Sequence, residues 1–262
     1  MTKEKLLNAI QAVNSQGDKA FVAYMMAGDG GLETLKTKIL FLQEAGITAI
    51  ELGIPFSDPV ADGPTIQQAG ERALTHGTTL SLILQELETF YEEVTVPLVL
   101  MTYYNPVLSF GLDQFAHACE KLGIAGLIVP DLPVEETVEL HKVLADTDVA
   151  LVPLVSLTSP PDRIAKITAS GEGFVYAVTV NGITGVRDGF GDQLEQHLTN
   201  LSEQSNIPVL AGFGISTPEQ VKSMGALADG VIVGSAIVEA FHQNELEKIT
   251  TLIKATKTRV LN

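Results

Sequence analysis

The stretch Ile50-Glu51-Leu52-Gly53-Ile54-Pro55-Phe56-Ser57-Asp58-Pro59-Val60-Ala61-Asp62-Gly63-Pro64 changes character part-way along. The residues leading into it, Thr48-Ala49-Ile50, read as the tail of a buried strand. Glu51 stands where that run ends, and three prolines and two glycines then stop regular structure. Asp58 and Asp62 place two more carboxylates in the loop. A carboxylate at the end of an apolar strand is costly to bury unless partners satisfy it or its pKa rises. A raised pKa is what a general acid needs near neutral pH. The plainer alternative is a structural Glu that accepts loop N–H bonds.

Outward from this stretch the chain alternates. Short apolar runs at 20–26, 49–54, 97–102, 126–129, 149–155, 174–179, 208–211 and 230–234 read as strands. They are rich in Val, Ile and Leu without clean alternation, as expected of strands covered on both faces. Helix-like segments fall between them at 32–45, 64–92 (broken at Gly77), 112–122, 134–145, 160–169, 189–204, 217–224 and 235–258. An amphipathic helix over 4–14, with Leu6, Leu7, Ile10 and Val13 on one face, precedes them all. Ser159-Pro160-Pro161-Asp162 and Ser216-Thr217-Pro218-Glu219 carry helix-start chemistry, and Gly46 and Gly123 are C-cap candidates. Eight strand–helix units predict an α/β fold, a single-domain (β/α)8 TIM barrel over residues 1–262 with an extra N-terminal helix. The rival is an open doubly wound sheet. No G-x-G-x-x-G opens a helix after the first strand, which weakens a dinucleotide-binding version of it.

Composition narrows the function classes. The 262 residues suit one barrel domain, and the 45% hydrophobic content is ample for one core. A net charge of −16 argues against nucleic acid and anionic membranes as partners, since both need a basic footprint. The lone Cys119 excludes an internal disulfide framework and suits a reducing cytoplasm, the expected location. The opening residues lack a secretory pattern, and no apolar run reaches the length of a membrane span.

In a barrel the chemistry sits at the carboxyl ends of the strands. The last two strand ends, Gly212-Phe213-Gly214 and Gly234-Ser235-Ala236, each lead into a helix. Glycine lets a backbone come close, and helix N-termini present free N–H groups, so these turns are candidate phosphate contacts. The bland alternative is that the glycines only make tight turns. Neither loop holds Lys or Arg, so backbone dipoles and the Ser235 hydroxyl would carry the binding. The 181–192 segment, glycine-rich and holding Thr184, Gly185 and Arg187, reads either as a lid or as a plain connection.

Elimination narrows the chemistry further. The 12 lysines fall outside the strand ends, so no Schiff-base lysine is available. His76, His117, His141, His197 and His242 lie on helix-like segments, which leaves a metal site unsupported. No nucleophile motif occurs, and Cys119 reads as packing. Carboxylates, tyrosines and a phosphate cradle remain. They support proton transfer on a phosphorylated substrate, either isomerisation or unaided C–C cleavage. Unaided cleavage needs a substrate with its own electron sink, such as an indole protonated at C3.

The motif E-L-G-I-P-F-S-D-P-x-A-D-G-P over 51–64 resembles the signature of the tryptophan synthase alpha subunit family. The similarity extends to Phe21-Val22-x-Tyr24, Pro130 through Glu136, Tyr176 through Gly185, Gly212 through Ser216 and Gly234 through Val238, essentially the whole chain. It implies cleavage of indole-3-glycerol phosphate to indole and glyceraldehyde 3-phosphate. The implied roles are acid/base for Glu51 and indole N–H acceptor for Asp62. Tyr24, Leu100 and Phe213 would enclose the indole. Gly185, Gly214, Gly234 and Ser235 would hold the phosphate, with Tyr176 and Thr184 close by. No metal or cofactor is implied in this chain. The implied partner is a beta subunit that uses pyridoxal phosphate to join indole to serine, in an α2β2 assembly. The implied contact rim is 57–59, 105–107 and 131–133. Tyr24 stands where some members have Phe, Met101–Asn105 is one residue longer than in some, and Pro130 replaces a small residue. Two rivals stay open: a phosphosugar isomerase on the same barrel, and a non-catalytic partner subunit.

Overall fold

The computed structural model describes residues 3–156, 158–178, 192–212 and 214–258. Nine strand segments form one parallel sheet in the order β5-β4-β3-β2-β1-β9-β8-β7-β6. They are β1 (Ala20–Met26), β2 (Ala49–Gly53), β3 (Leu98–Met101), β4 (Gly126–Ile128), β5 (Ala150–Leu151), β6 (Leu154–Ser156), β7 (Val175–Val178), β8 (Val209–Gly212) and β9 (Gly230–Val233). The run expected as one strand over 149–155 is thus two segments. Pro153 has no N–H to donate and interrupts the ladder. The chain still closes the ring across this break. Val152 N–H donates to Leu127 O at 2.9 Å on one side, and Tyr176 N–H donates to Pro153 O at 2.9 Å on the other. The result is a (β/α)8 barrel whose fifth strand is split.

The helices are α1 (Lys5–Ser15), α2 (Leu35–Glu44), α3 (Pro64–Thr75), α4 (Leu80–Glu88), α5 (Tyr104–Phe110), α6 (Leu112–Lys121), α7 (Val138–Val143), α8 (Pro161–Ala169), α9 (Asp192–Gln204), α10 (Pro218–Leu227), α11 (Ser235–His242) and α12 (Leu246–Lys254). The expected break at Gly77 separates α3 from α4. The segment expected as one helix over 235–258 is two, divided at Asn244, whose φ is 60°. Helix α5 was not anticipated, because its seven residues carry a proline and little periodicity. Thr217 caps α10 in a full capping box with Gln220. At α8 the cap position is Pro160, and Ser159 lies one residue before it.

Two apolar layers result from the period of two along each strand. Phe21, Ile50, Leu52, Leu98, Leu100 and Val175 face outward into the shell under the helices. Val22, Ala49, Val99, Phe174, Leu210 and Ile232 face the barrel axis, where Leu6 and Ile10 of α1 close its amino-terminal end. Burying each of those two α1 side chains contributes about 1.5–3 kcal/mol. Lys3 ties the helix down by pairing with Glu172 at 2.9 Å, and Glu172 also accepts Leu151 N–H. With one end of the axis filled by hydrocarbon, the open carboxyl end is left for a ligand.

Candidate active site

Glu51 is the middle residue of β2, and its register partners are Tyr24 on β1 and Val99 on β3. Alternation turns Ala49, Glu51 and Gly53 to the axis. Glu51 is fully buried, and neither carboxyl oxygen has a hydrogen-bond partner among the described residues. Burial pushes its pKa up to about 8, with the negative charge of Asp62 adding to the rise. The alternative of a Glu that accepts loop N–H bonds does not describe this side chain.

Asp62 comes from the loop between β2 and α3 rather than from a strand. Its N–H donates to Pro59 O at 3.0 Å, and its carbonyl accepts Gln67 Nε2 at 2.8 Å. Burial raises its carboxyl to about 6, held back by the Tyr103 hydroxyl. Both carboxyls are thus raised above the ordinary carboxylate range, Glu51 further than Asp62. Two environments that push carboxyl pKa values apart mark an acid and an anionic partner.

Both groups open into a cavity of about 720 Å3. Tyr24, Ile66, Met101, Pro130, Tyr176 and Ile232 give its axial walls their apolar character. Tyr24 and Tyr176 are phenols held protonated, first by burial and then by the two nearby carboxylates. The Tyr24 hydroxyl fits only because residue 53 is glycine; a Cβ there would lie 2.0 Å from it. At the far side Gly212, Gly214, Gly234 and Ser235 line the cavity. Gly214 has φ +65°, and Ser235 opens α11 behind Gly234. The first amides of a helix have no intrahelical acceptor and favour an anion. Among the described residues no cluster of three His, Cys, Asp or Glu could hold a metal ion.

Most of the expected site residues meet here: Glu51, Asp62, Tyr24, Tyr176, Gly214, Gly234 and Ser235 all line this one cavity. Thr184, Gly185, Arg187 and Phe213 lie outside the described residues. Leu100 is a correction. It pairs with Leu52 and packs in the outer shell, so it does not face the cavity. The axis-facing neighbours on β3 are Val99 and Met101, and Met101 lines the site. Counting in twos from Val99 would have found it, but the sequence does not say which parity faces in. Within the expected partner rim, Ser57, Asp58, Asn105, Asp131 and Pro133 are exposed. Val107 is fully buried within α5, and the Asp131 carboxylate is engaged with Tyr104 N–H at 3.0 Å. Tyr103, quoted in the sequence only as a strand end, proves to accept the N–H of Ala61, next to Asp62, at 2.9 Å.

The profile of the tryptophan synthase alpha chain family matches residues 10–260. The chain belongs to that family. It is 52% identical over 250 residues to the tryptophan synthase alpha chain of Bacillus thuringiensis subsp. konkukian, covering 95% of this chain and 97% of that one. It is 53% identical to a Bacillus cereus tryptophan synthase alpha chain over the same shares. The fold matches a Mycobacterium tuberculosis tryptophan synthase structure with TM-score 0.89 at 31% identity, covering 97% of this chain and 99% of that chain. The tryptophan synthase subunit alpha of Legionella pneumophila matches with TM-score 0.86, 31% identity and 98% of both chains. Membership in the tryptophan synthase alpha chain family spans every strand that builds the cavity.

Proposed function

We propose that this chain is a carbon–carbon lyase that cleaves indole-3-glycerol phosphate to indole and glyceraldehyde 3-phosphate. The observation that carries the reading is the Glu51–Asp62 pair: a fully buried carboxyl and a half-buried one line one end of a cavity whose other end is a helix N-terminus. Protonated Glu51 delivers its proton to indole C3, making the ring an iminium. Asp62 accepts the ring N–H and stabilises the growing positive charge. Glu51, now ionised, takes the proton from the hydroxyl on the side-chain carbon bonded to C3. The bond from that carbon to C3 breaks, its electrons return to the ring, and the carbon leaves as an aldehyde. The proton count closes on Glu51, so no water, metal or lysine is consumed.

In this reading Tyr24, Met101 and Ile66 flank the indole, with Phe213 beside them. Gly214, Gly234 and Ser235 hold the phosphate, with Tyr176, Thr184 and Gly185 nearby. Residues 1–262 act as one domain in the cytoplasm. The partner is a tryptophan synthase beta subunit in an α2β2 complex, which carries the pyridoxal phosphate and consumes the indole with serine. Family membership favours the lyase over a phosphosugar isomerase, and the paired carboxyls favour it over a non-catalytic subunit. The test is indole release from indole-3-glycerol phosphate, with and without the beta subunit. Release lost in Glu51→Gln and weakened in Asp62→Asn is the expected result. Near-full turnover in Glu51→Gln would reject the assignment.

A further inference from the structure

Asp62 is the less secured of the two carboxyls. Glu51 is fixed by strand β2, whereas Asp62 sits in a turn that depends on its neighbours. Tyr103, in the turn between β3 and α5, supplies two contacts to that loop. Its ring packs on Phe56 at the start of the loop, with centroids 5.2 Å apart and planes tilted by 31°. Its hydroxyl accepts Ala61 N–H at 2.9 Å. That hydrogen bond holds the hydroxyl at the residue next to Asp62, and the hydroxyl works against the upward shift of the Asp62 carboxyl. Tyr103 is buried to 4% exposure, and its own turn is anchored where Asp131 accepts Tyr104 N–H at 3.0 and 3.3 Å. Ala61 and Asp62 line the cavity, and Tyr103 supports them without being one of its lining residues.

A hydroxyl that accepts from Ala61 N–H still has its own proton to give, and the nearest anion is Asp62. We propose that Tyr103 is a positioning residue: its hydroxyl donates to the Asp62 carboxylate while taking Ala61 N–H, and so aims that carboxylate at the substrate. The proposal rests on the lyase reading for what Asp62 does, but not for where Asp62 sits. The other titratable groups facing Asp62 are Glu51 from β2, Tyr24 from β1 and Tyr176 from β7, with Asp131 beyond Tyr103. None is a cation. The Tyr103 hydroxyl is therefore the contact that favours the ionised form, and removing it moves Asp62 toward protonation.

The experiment compares wild type, Tyr103→Phe, Phe56→Leu, Asp62→Asn and the Tyr103→Phe/Asp62→Asn pair. Tyr103→Phe keeps the ring and its stacking; Phe56→Leu removes the stacking and keeps the hydroxyl. The first readout is the Asp62 titration midpoint by carboxyl NMR, which needs no activity. It is expected to rise by about one unit in Tyr103→Phe and to stay put in Phe56→Leu. The second is indole release against pH. Tyr103→Phe should lower kcat about tenfold, as loss of a hydrogen bond to a charged group does, and move the acid limb to higher pH. The double variant should be no slower than Asp62→Asn alone. An unmoved midpoint in Tyr103→Phe, or equal losses from Tyr103→Phe and Phe56→Leu, would overturn the proposal. Were wild type to release no indole, the lyase reading would fall, and the NMR midpoint would still decide the role of Tyr103.

Discussion

Two layers of the barrel axis lie one side-chain step apart and have opposite characters. In the lower layer Val22, Ala49, Val99, Phe174, Leu210 and Ile232 fill the space against Leu6 and Ile10. Two residues further along the same strands stand Tyr24, Glu51, Met101, Tyr176, Gly212 and Gly234, around open space. The same backbone presents both sets, and only side-chain size and polarity differ. Packing below supports the ring, which holds a carboxyl above in a site where no partner among the described residues satisfies it. A buried unpaired carboxyl lowers stability, so the upper layer is where function has been favoured over stability.

The sharpest way to break this comparison is to substitute across the boundary. Glu51→Gln should reduce indole release by on the order of 10³-fold or more while the barrel stays folded, measured by product assay beside circular dichroism. A fall in folding without a selective loss of turnover would erase the distinction between layers. Below it, Phe174→Ala should cost about 3–5 kcal/mol of unfolding free energy in denaturant titration, with little change in KM.

The pH dependence of stability sharpens the contrast. The Glu51 pKa rises from 4.5 unfolded to about 8 folded. The folded chain thus binds a proton that the unfolded chain has released between those values, and stability falls as pH rises. The contribution is complete below 4.5 and lost as pH climbs through about 8. Between pH 5 and 8 the wild type should lose on the order of 3–4 kcal/mol relative to Glu51→Gln, read from paired unfolding curves. Phe174→Ala, which keeps Glu51, should show the same slope as wild type, so its own cost should not change with pH.

The smallest effects separate two glycines of the upper layer. A Cβ on Gly212 would lie 2.4 Å from the Tyr176 ring, whereas one on Gly234 meets nothing closer than 3.6 Å among the described residues. Gly212→Ala should cost about 1–3 kcal/mol of stability by forcing Tyr176 to move. Gly234→Ala should stay within about 0.5 kcal/mol of wild-type stability, its effect appearing in KM for the phosphorylated substrate.

Much of this was legible along the chain. Eight apolar runs with helices between them specify the barrel, and Glu51 at the end of one run marks the site. The turns at Gly212–Gly214 and Gly234–Ser235 are legible as the proposed anion end from the chemistry of helix N-termini. Leu100 and Met101 show the limit: adjacent apolar residues on a strand buried on both faces carry no sign of which one faces inward. Tyr103 was equally silent, since an aromatic residue after a strand end is as consistent with rim packing as with support for a carboxylate.

The sequence alone determined the fold class, the family and the two carboxyls, because period, turn chemistry and a long motif are local properties. Only the tertiary structure decided that burial raises Glu51 further than Asp62, that strand five closes the ring across Pro153, and that Tyr103 reaches the loop that carries Asp62. Those facts depend on which atoms lie near one another and how much water they exclude, and residues as far apart as Asp62 and Tyr103 have no distance until the chain is folded.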